Sequence, residues 1–179
     1  MRKRVYNGFI KVYKDHGFEV VKVTNSVAFL IFVVDWMKVI LIKQNRKPMK
    51  RRSNPTGVIL EAPAGRFDRK VGVKGLVIAE AAEEVGVTVA KSDIDVLNHG
   101  RPMALSPGVL TERMYLAIAT VRSQQVSKGR NFGLASEHER IKRILVPVSE
   151  LETMVFDDMK TATLVSFFRL HGERQCTKR

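Results

Sequence analysis

The chain has 179 residues, 45% of them hydrophobic, which is enough for one ordinary domain with a sizeable core and excludes intrinsic disorder except at the ends. Thirty-one Lys and Arg against 18 Asp and Glu leave a net charge of +13, which favours polyanionic partners, whether nucleic acid or phosphorylated metabolites. A single cysteine, Cys176, excludes an internal disulfide, and the four histidines have no spacing that suggests a zinc site.

In chain order, the basic start MRKRVYNGFIKVYKDHG lacks a long apolar run, so no secretory leader is expected and a reducing, cytoplasmic setting fits the lone cysteine. Residues 17–24, 26–34 and 37–43 read as strands, being β-branched and aromatic-rich with polar breaks. Only Asp35 and Trp36 separate the last two, which suggests a tight hairpin. The apolar run VAFLIFVV stops at Asp35, too short to span a bilayer. A basic loop with Pro48, Pro55 and Gly57 follows, then a short strand, VILEAPAG, closed by Pro63 and Gly65. A helix is expected over about 74–85, stopped by Gly86. Strands are expected near 93–101 and 112–121, a polar loop over 123–139, and a strand at IKRILVPV. Ser149 reads as an N-cap, and a last helix over about 157–170 opens on two aspartates, ahead of a basic tail at 172–179. The order of strands, helix, strands, helix implies a mixed α/β (α+β) domain with helices packed on a largely antiparallel or mixed sheet. No repeat or linker divides it, so residues 1–179 are expected to form one domain.

The positive residues cluster at Arg2–Arg4, from Lys43 to Arg52, at RFDRK, at HERIKR and in the tail. Apart from Phe67 in RFDRK, no aromatic residue is interleaved with them, which argues against single-strand nucleic-acid binding; a solvated basic surface is the plain alternative. The segment EAAEEVGV, from Glu80, sets Glu80 and Glu84 one turn apart on one helix face with Glu83 beside them. Like charges so placed repel, so they form either a solvated acidic edge or a set gathered around something positive.

The stretch from Gly65 to Val87 resembles the Nudix box, G-x5-E-x7-R-E-U-x-E-E-x-G-U with U aliphatic, through Gly65, Glu80, Glu83, Glu84, Gly86 and Val87. It departs at Val71, where the box has its first glutamate, and at Ala79, where it has arginine; Ala81 is a small version of the aliphatic position. SPGVLTER from Ser106 and GLASEHERI from Gly133 resemble segments of ADP-ribose and nucleotide-sugar pyrophosphatases in this superfamily, as do LIKQNR from Leu41 and LEAPAG from Leu60.

The resemblance implies a mixed sheet sandwiched between helices and a Mg²⁺-dependent hydrolase, with Mn²⁺ as the alternative ion, acting on a nucleoside diphosphate linked to a sugar, ADP-ribose foremost. A hard ion that bridges phosphates suits carboxylate oxygens. The implied ligands are Glu80, Glu83, Glu84, the carbonyl of Ala64, and Glu139. Glu137 is implied as general base, with Glu83 and Glu84 also taking part in catalysis. Gln44, Arg46, Ser106, Gly108 and Glu112 are the implied substrate contacts, Arg46 because a guanidinium can grip phosphate with two bonds. In the family the first box glutamate and the box arginine pair to support the loop on the helix; here both partners are missing together. Related enzymes pair through N-terminal strands, so a homodimer through roughly residues 1–40 is expected, with no membrane. The alternatives are a catalytically weakened module binding nucleotide or RNA, or hydrolysis of capped RNA or dinucleoside polyphosphates.

Overall fold

The computed structural model describes residues 2–8, 10–133 and 140–176. A three-stranded antiparallel sheet comes first, β1 (Arg2–Asn7), β2 (Lys11–Asp15) and β3 (Phe18–Lys22), in that spatial order. The main sheet holds β4 (Ser26–Val33), β5 (Lys38–Asn45), β6 (Val58–Glu61) and β7 (Ala64–Arg66). After α1 (Val73–Val85), it continues with β8 (Ile94–Val96), β9 (Met103–Ala104), β10 (Arg113–Val121), β11 (Asn131–Phe132) and β12 (Ile141–Pro147). The second helix, α2, spans Met159–Cys176.

β4 explains the layering. All eight of its residues are buried, so it reads as a continuous apolar run instead of an alternating one. Its odd positions Val27, Phe29, Ile31 and Val33 pack with Leu76, Val77, Ala81 and Val85 of α1. Its even positions Ala28, Leu30 and Phe32 pack with Leu164, Val165 and Phe168 of α2. The two-residue period thus sends alternate side chains to two helices on opposite faces. The sheet is mixed as expected: β10 runs parallel to β4 from Met114↔Ser26 to Val121↔Val33, while β5 pairs antiparallel with both β4 and β12.

β4 and β5 are joined at one end only, from Ile31↔Ile40 to Val33↔Lys38. Beyond that they separate, and the VILEAPAGR segment fills the gap, β6 pairing with β5 and β7 with β4. Pro63 cannot donate to a ladder, so the expected single strand breaks into two; the Pro63 carbonyl instead accepts from Phe29 N–H at 3.0 Å. This wedge delivers Glu61, Ala64 and Gly65 to the site described below.

Other expectations need correction. The β4–β5 link is a short 3₁₀ turn at Val34–Trp36 closed by Met37 at φ 49°, longer than a two-residue hairpin. The strand expected over 93–101 is limited to β8, because left-handed Asn98 and His99 turn the chain. Ser149 lies within a 3₁₀ turn, Val148–Glu150, and caps no α-helix. α2 starts at Met159 and runs through Cys176, into the region expected to be a basic tail. Its cap is Asp158, whose Oδ2 accepts from Thr161 N–H at 3.0 Å. α1 matches its expected span, and Gly86 ends it at φ 62°, where a Cβ would also lie 2.3 Å from Phe132. No helix among the described residues is long and apolar enough to cross a membrane.

Candidate functional site

A cleft of about 1160 Å³ opens between the wedge, α1, the start of α2 and the small sheet. Glu80, Glu83 and Glu84 all line it, as do Ala64, Gly65, Arg46 and Glu112. The three glutamates sit differently. Glu84 is 4% exposed, and its Oε2 accepts from Ala64 N–H at 3.0 Å, which fixes the carboxylate against the wedge. Glu80 crosses above Gly65 so closely that a Cβ there would lie 2.3 Å from the Glu80 carboxyl carbon. The glycine is therefore required for close approach, not for an unusual backbone angle. Glu83 is gripped by Arg69, whose Nη1 and Nη2 donate to its two oxygens at 3.0 and 3.1 Å. Arg69 Nη2 also lies 3.5 Å from Glu80 Oε1. Hydrogen bonding to Glu83 raises the Arg69 pKa well above the ordinary guanidinium value, ahead of the charges of Glu83 and Glu80, so it is a permanent cation.

Across the cleft is a second charged group. Glu61, with a side chain 2% exposed, accepts from Arg46 Nε at 2.6 Å and from Lys160 Nζ at 2.5 Å. Lys160 also contacts Asp158 at 2.9 Å, which couples the pair to the α2 cap. Ala62 N–H donates to Thr161 Oγ1 at 2.7 Å, so the start of α2 is fastened to the wedge from which Glu61 projects. Arg46, expected to contact substrate phosphate, thus spends its Nε on Glu61 while lining the cleft.

The remaining expected residues divide. Glu112 accepts from Ser26 Oγ at 2.6 Å at the cleft wall. Ser106 and Gly108 are outside the lining; the Ser106 carbonyl closes a turn by accepting from Val109 and Leu110, and that turn docks on β3 through Val21 and Thr111. Gln44 is buried in β5 opposite Ile59, which lines the cleft, but is not itself part of the lining. Glu137 and Glu139 lie outside the described residues.

Sequence reasoning missed Glu61, Arg69 and Lys160 as parts of the site. Glu61 carried a usable signal: a carboxylate closing the apolar run VIL requires a cation if the strand is buried. Arg69 was masked by its basic neighbours, and Lys160 by its place in a helix start. One buried arginine lies behind α1. Arg143 donates to the carbonyls of Val85 and Ser127, at 2.6 Å each, and to that of Gly129, and stacks over Phe132 at 5.0 Å. Burial lowers its pKa, with the nearby charge of Arg130 adding to that.

As they stand, no three His, Cys, Asp or Glu side chains among the described residues converge closely enough to hold a metal. The chemistry nevertheless fits a hard divalent cation: the donor set is carboxylate oxygen, two members already hold a guanidinium, and Gly65 leaves Glu80 no Cβ to meet.

No family model matches the chain. It is similar to the GDP-mannose pyrophosphatase of Cronobacter sakazakii, at 31% identity over 163 residues, 88% of this chain and 80% of that one. It is 30% identical over 138 residues to the GDP-mannose pyrophosphatase of Yersinia enterocolitica, covering 75% and 68% of the two chains. In fold it resembles a solved structure described as the crystal structure of ADP compounds hydrolase, with a TM-score of 0.71, 17% identity, and coverage of 98% of this chain and 93% of that one.

Proposed function

The chain belongs to the Nudix hydrolase superfamily, and on that premise we propose that it hydrolyses the diphosphate bond of a nucleoside diphosphate sugar, giving a nucleoside monophosphate and a sugar phosphate. The observation that carries this reading is a cleft lined on one side by Glu80, Glu83 and Glu84 and elsewhere by Arg46 and Lys160. The relatives' names move GDP-mannose ahead of ADP-ribose as the first substrate to try.

The proposed cofactor is Mg²⁺, with Mn²⁺ as the alternative, held by Glu80, Glu83, Glu84 and the Ala64 carbonyl, with Glu139 added. When bound, it would neutralise charge on the diphosphate oxygens. The chain's own groups do the rest. Arg46 and Lys160 offer donors to the phosphate oxygens, and Glu61 holds both in position. Glu84, fixed by Ala64 N–H, keeps its carboxylate aimed into the cleft. Glu137 is the proposed base that takes a proton from the attacking water. The water oxygen bonds to one phosphorus while the bridging P–O bond breaks, and the bridging oxygen leaves with its electron pair on the other phosphate. Glu112 remains a proposed contact; Gln44, buried in β5, and Ser106 and Gly108, in the turn docked on β3, would act by positioning the elements they belong to.

The same reading takes residues 1–179 as one domain in a cytoplasmic homodimer. Pairing through the small sheet is supported by exposed Val5, Tyr6 and Phe18, the last 72% exposed. Incubation with Mg²⁺ and a panel of GDP-mannose, ADP-ribose, UDP-glucose, a dinucleoside polyphosphate and capped RNA tests the substrate class by release of monophosphate. Preferential release from a nucleotide sugar supports the proposal. Release only from capped RNA, or tight nucleotide binding without release, would replace it.

A further inference from the structure

Arg69 lies in the connection between β7 and α1, two residues before Val71, which replaces the box's first glutamate; Ala79, which replaces the box arginine, follows within α1. The backbone of this connection is held mostly by itself: Asp68 N–H donates to the Arg66 carbonyl and Val71 N–H to that of Arg69. Its outside anchors include Phe67 N–H on the Asn25 carbonyl and the edge contact of Phe67 with Tyr115, both at its first residue. Further along, the Arg69 side chain supplies the tie to α1, through both oxygens of Glu83 and the nearer oxygen of Glu80. A guanidinium fork on both oxygens of Glu83 takes two of its roughly four lone-pair sites and sets a positive charge where a divalent ion would bind. Glu83 and Glu80 are two of the three α1 carboxylates in the proposed ion site.

We propose that Arg69 is a built-in counter-ion that competes with the divalent cation for Glu83 and Glu80, holding the carboxylates together until the ion displaces it. This rests on the metal-site reading of these glutamates. The side chain is 38% exposed and lines the cleft, so it can leave Glu83 without disturbing the core. Once released, it adds a cation to the cleft that receives the diphosphate.

The test is calorimetric titration of Mn²⁺ into the full chain, its Arg69→Ala variant and its Arg69→Lys variant, with thermal melts in chelator and in saturating Mn²⁺. Since an exposed pair contributes little, the alanine variant should bind Mn²⁺ only about three- to fivefold more tightly than the parent. It should melt lower in chelator, where three carboxylates are left facing one another, and that deficit should shrink in Mn²⁺. The lysine variant, with charge but no fork, should fall between, and carries the test if the alanine variant is not folded. Equal Mn²⁺ affinity in all three proteins, with the same melting deficit in both buffers, would overturn the inference and leave the metal site standing. No Mn²⁺ binding by any of them would overturn both.

Discussion

Replacing Lys160 with methionine should destabilise the protein through Glu61, a residue that itself is unchanged. Glu61 is 2% exposed in its side chain and is held by Lys160 at 2.5 Å and Arg46 at 2.6 Å. Removing one partner of a buried pair costs about 3–5 kcal/mol when the remaining charge has no other compensation. Arg46 keeps one oxygen satisfied here, so the expected loss is about 2 kcal/mol, at the level of a charged hydrogen bond. Glu61→Gln removes the buried charge while keeping its shape. The double variant Glu61→Gln/Lys160→Met should therefore be more stable than the sum of the single losses implies, by about 1 kcal/mol or more of coupling. Urea unfolding of the four proteins, with slopes checked for constancy, measures the cycle. A loss below about 0.5 kcal/mol in Lys160→Met, within the range of ordinary surface changes, would refute the reasoning, as would strict additivity in the double variant.

Gly65→Ala would place a methyl 2.3 Å from the Glu80 carboxyl and should lower metal-dependent turnover at least about tenfold by displacing that carboxylate, with little change in the unfolding midpoint. Arg143→Met removes three hydrogen bonds to carbonyls around the end of α1 and should cost about 3 kcal/mol in urea unfolding; Arg143→Lys should not restore it, because an ammonium lacks the fork. Asp35, whose pKa is lowered from 3.8 chiefly by Ser123 N–H and then by the Ser123 hydroxyl, stabilises the fold above that value and loses its contribution as pH falls through the lower, folded-state value. The melting gap between the parent and Asp35→Asn should thus hold steady from neutral pH down to 3.8 and close in more acid buffer.

The parts of this fold that were legible in the sequence are those with local causes. The apolar run of β4 marks a strand buried on both faces, and Gly86 marks a helix end needing a left-handed residue, so α1 could be placed nearly to the residue. The spacing of Glu80, Glu83 and Glu84 likewise puts them on one side of that helix. What was not legible depends on distant partners. Glu61 and Lys160 are 99 positions apart, and nothing local to either shows the other. Arg69 lies in a run of basic residues, and its distinction comes only from the connection that folds it back over α1. The first box glutamate and box arginine are absent together, and the structure offers a loop arginine paired with helix glutamates in their place. Ser149 had the right residue type for a cap, but the turn it sits in ends at Glu150, and the true cap, Asp158, gains from bonding Thr161 and Lys160 together.

The most direct measurement compares hydrolysis of GDP-mannose by the parent chain and by Glu84→Gln, in Mg²⁺ and in chelator, following GMP and mannose phosphate. Equimolar products from the parent in Mg²⁺, with none above background in chelator or from a folded Glu84→Gln, are the expected result. Turnover that persists in Glu84→Gln, or that is unchanged by chelator, would contradict a metal-holding role for the carboxylates of α1.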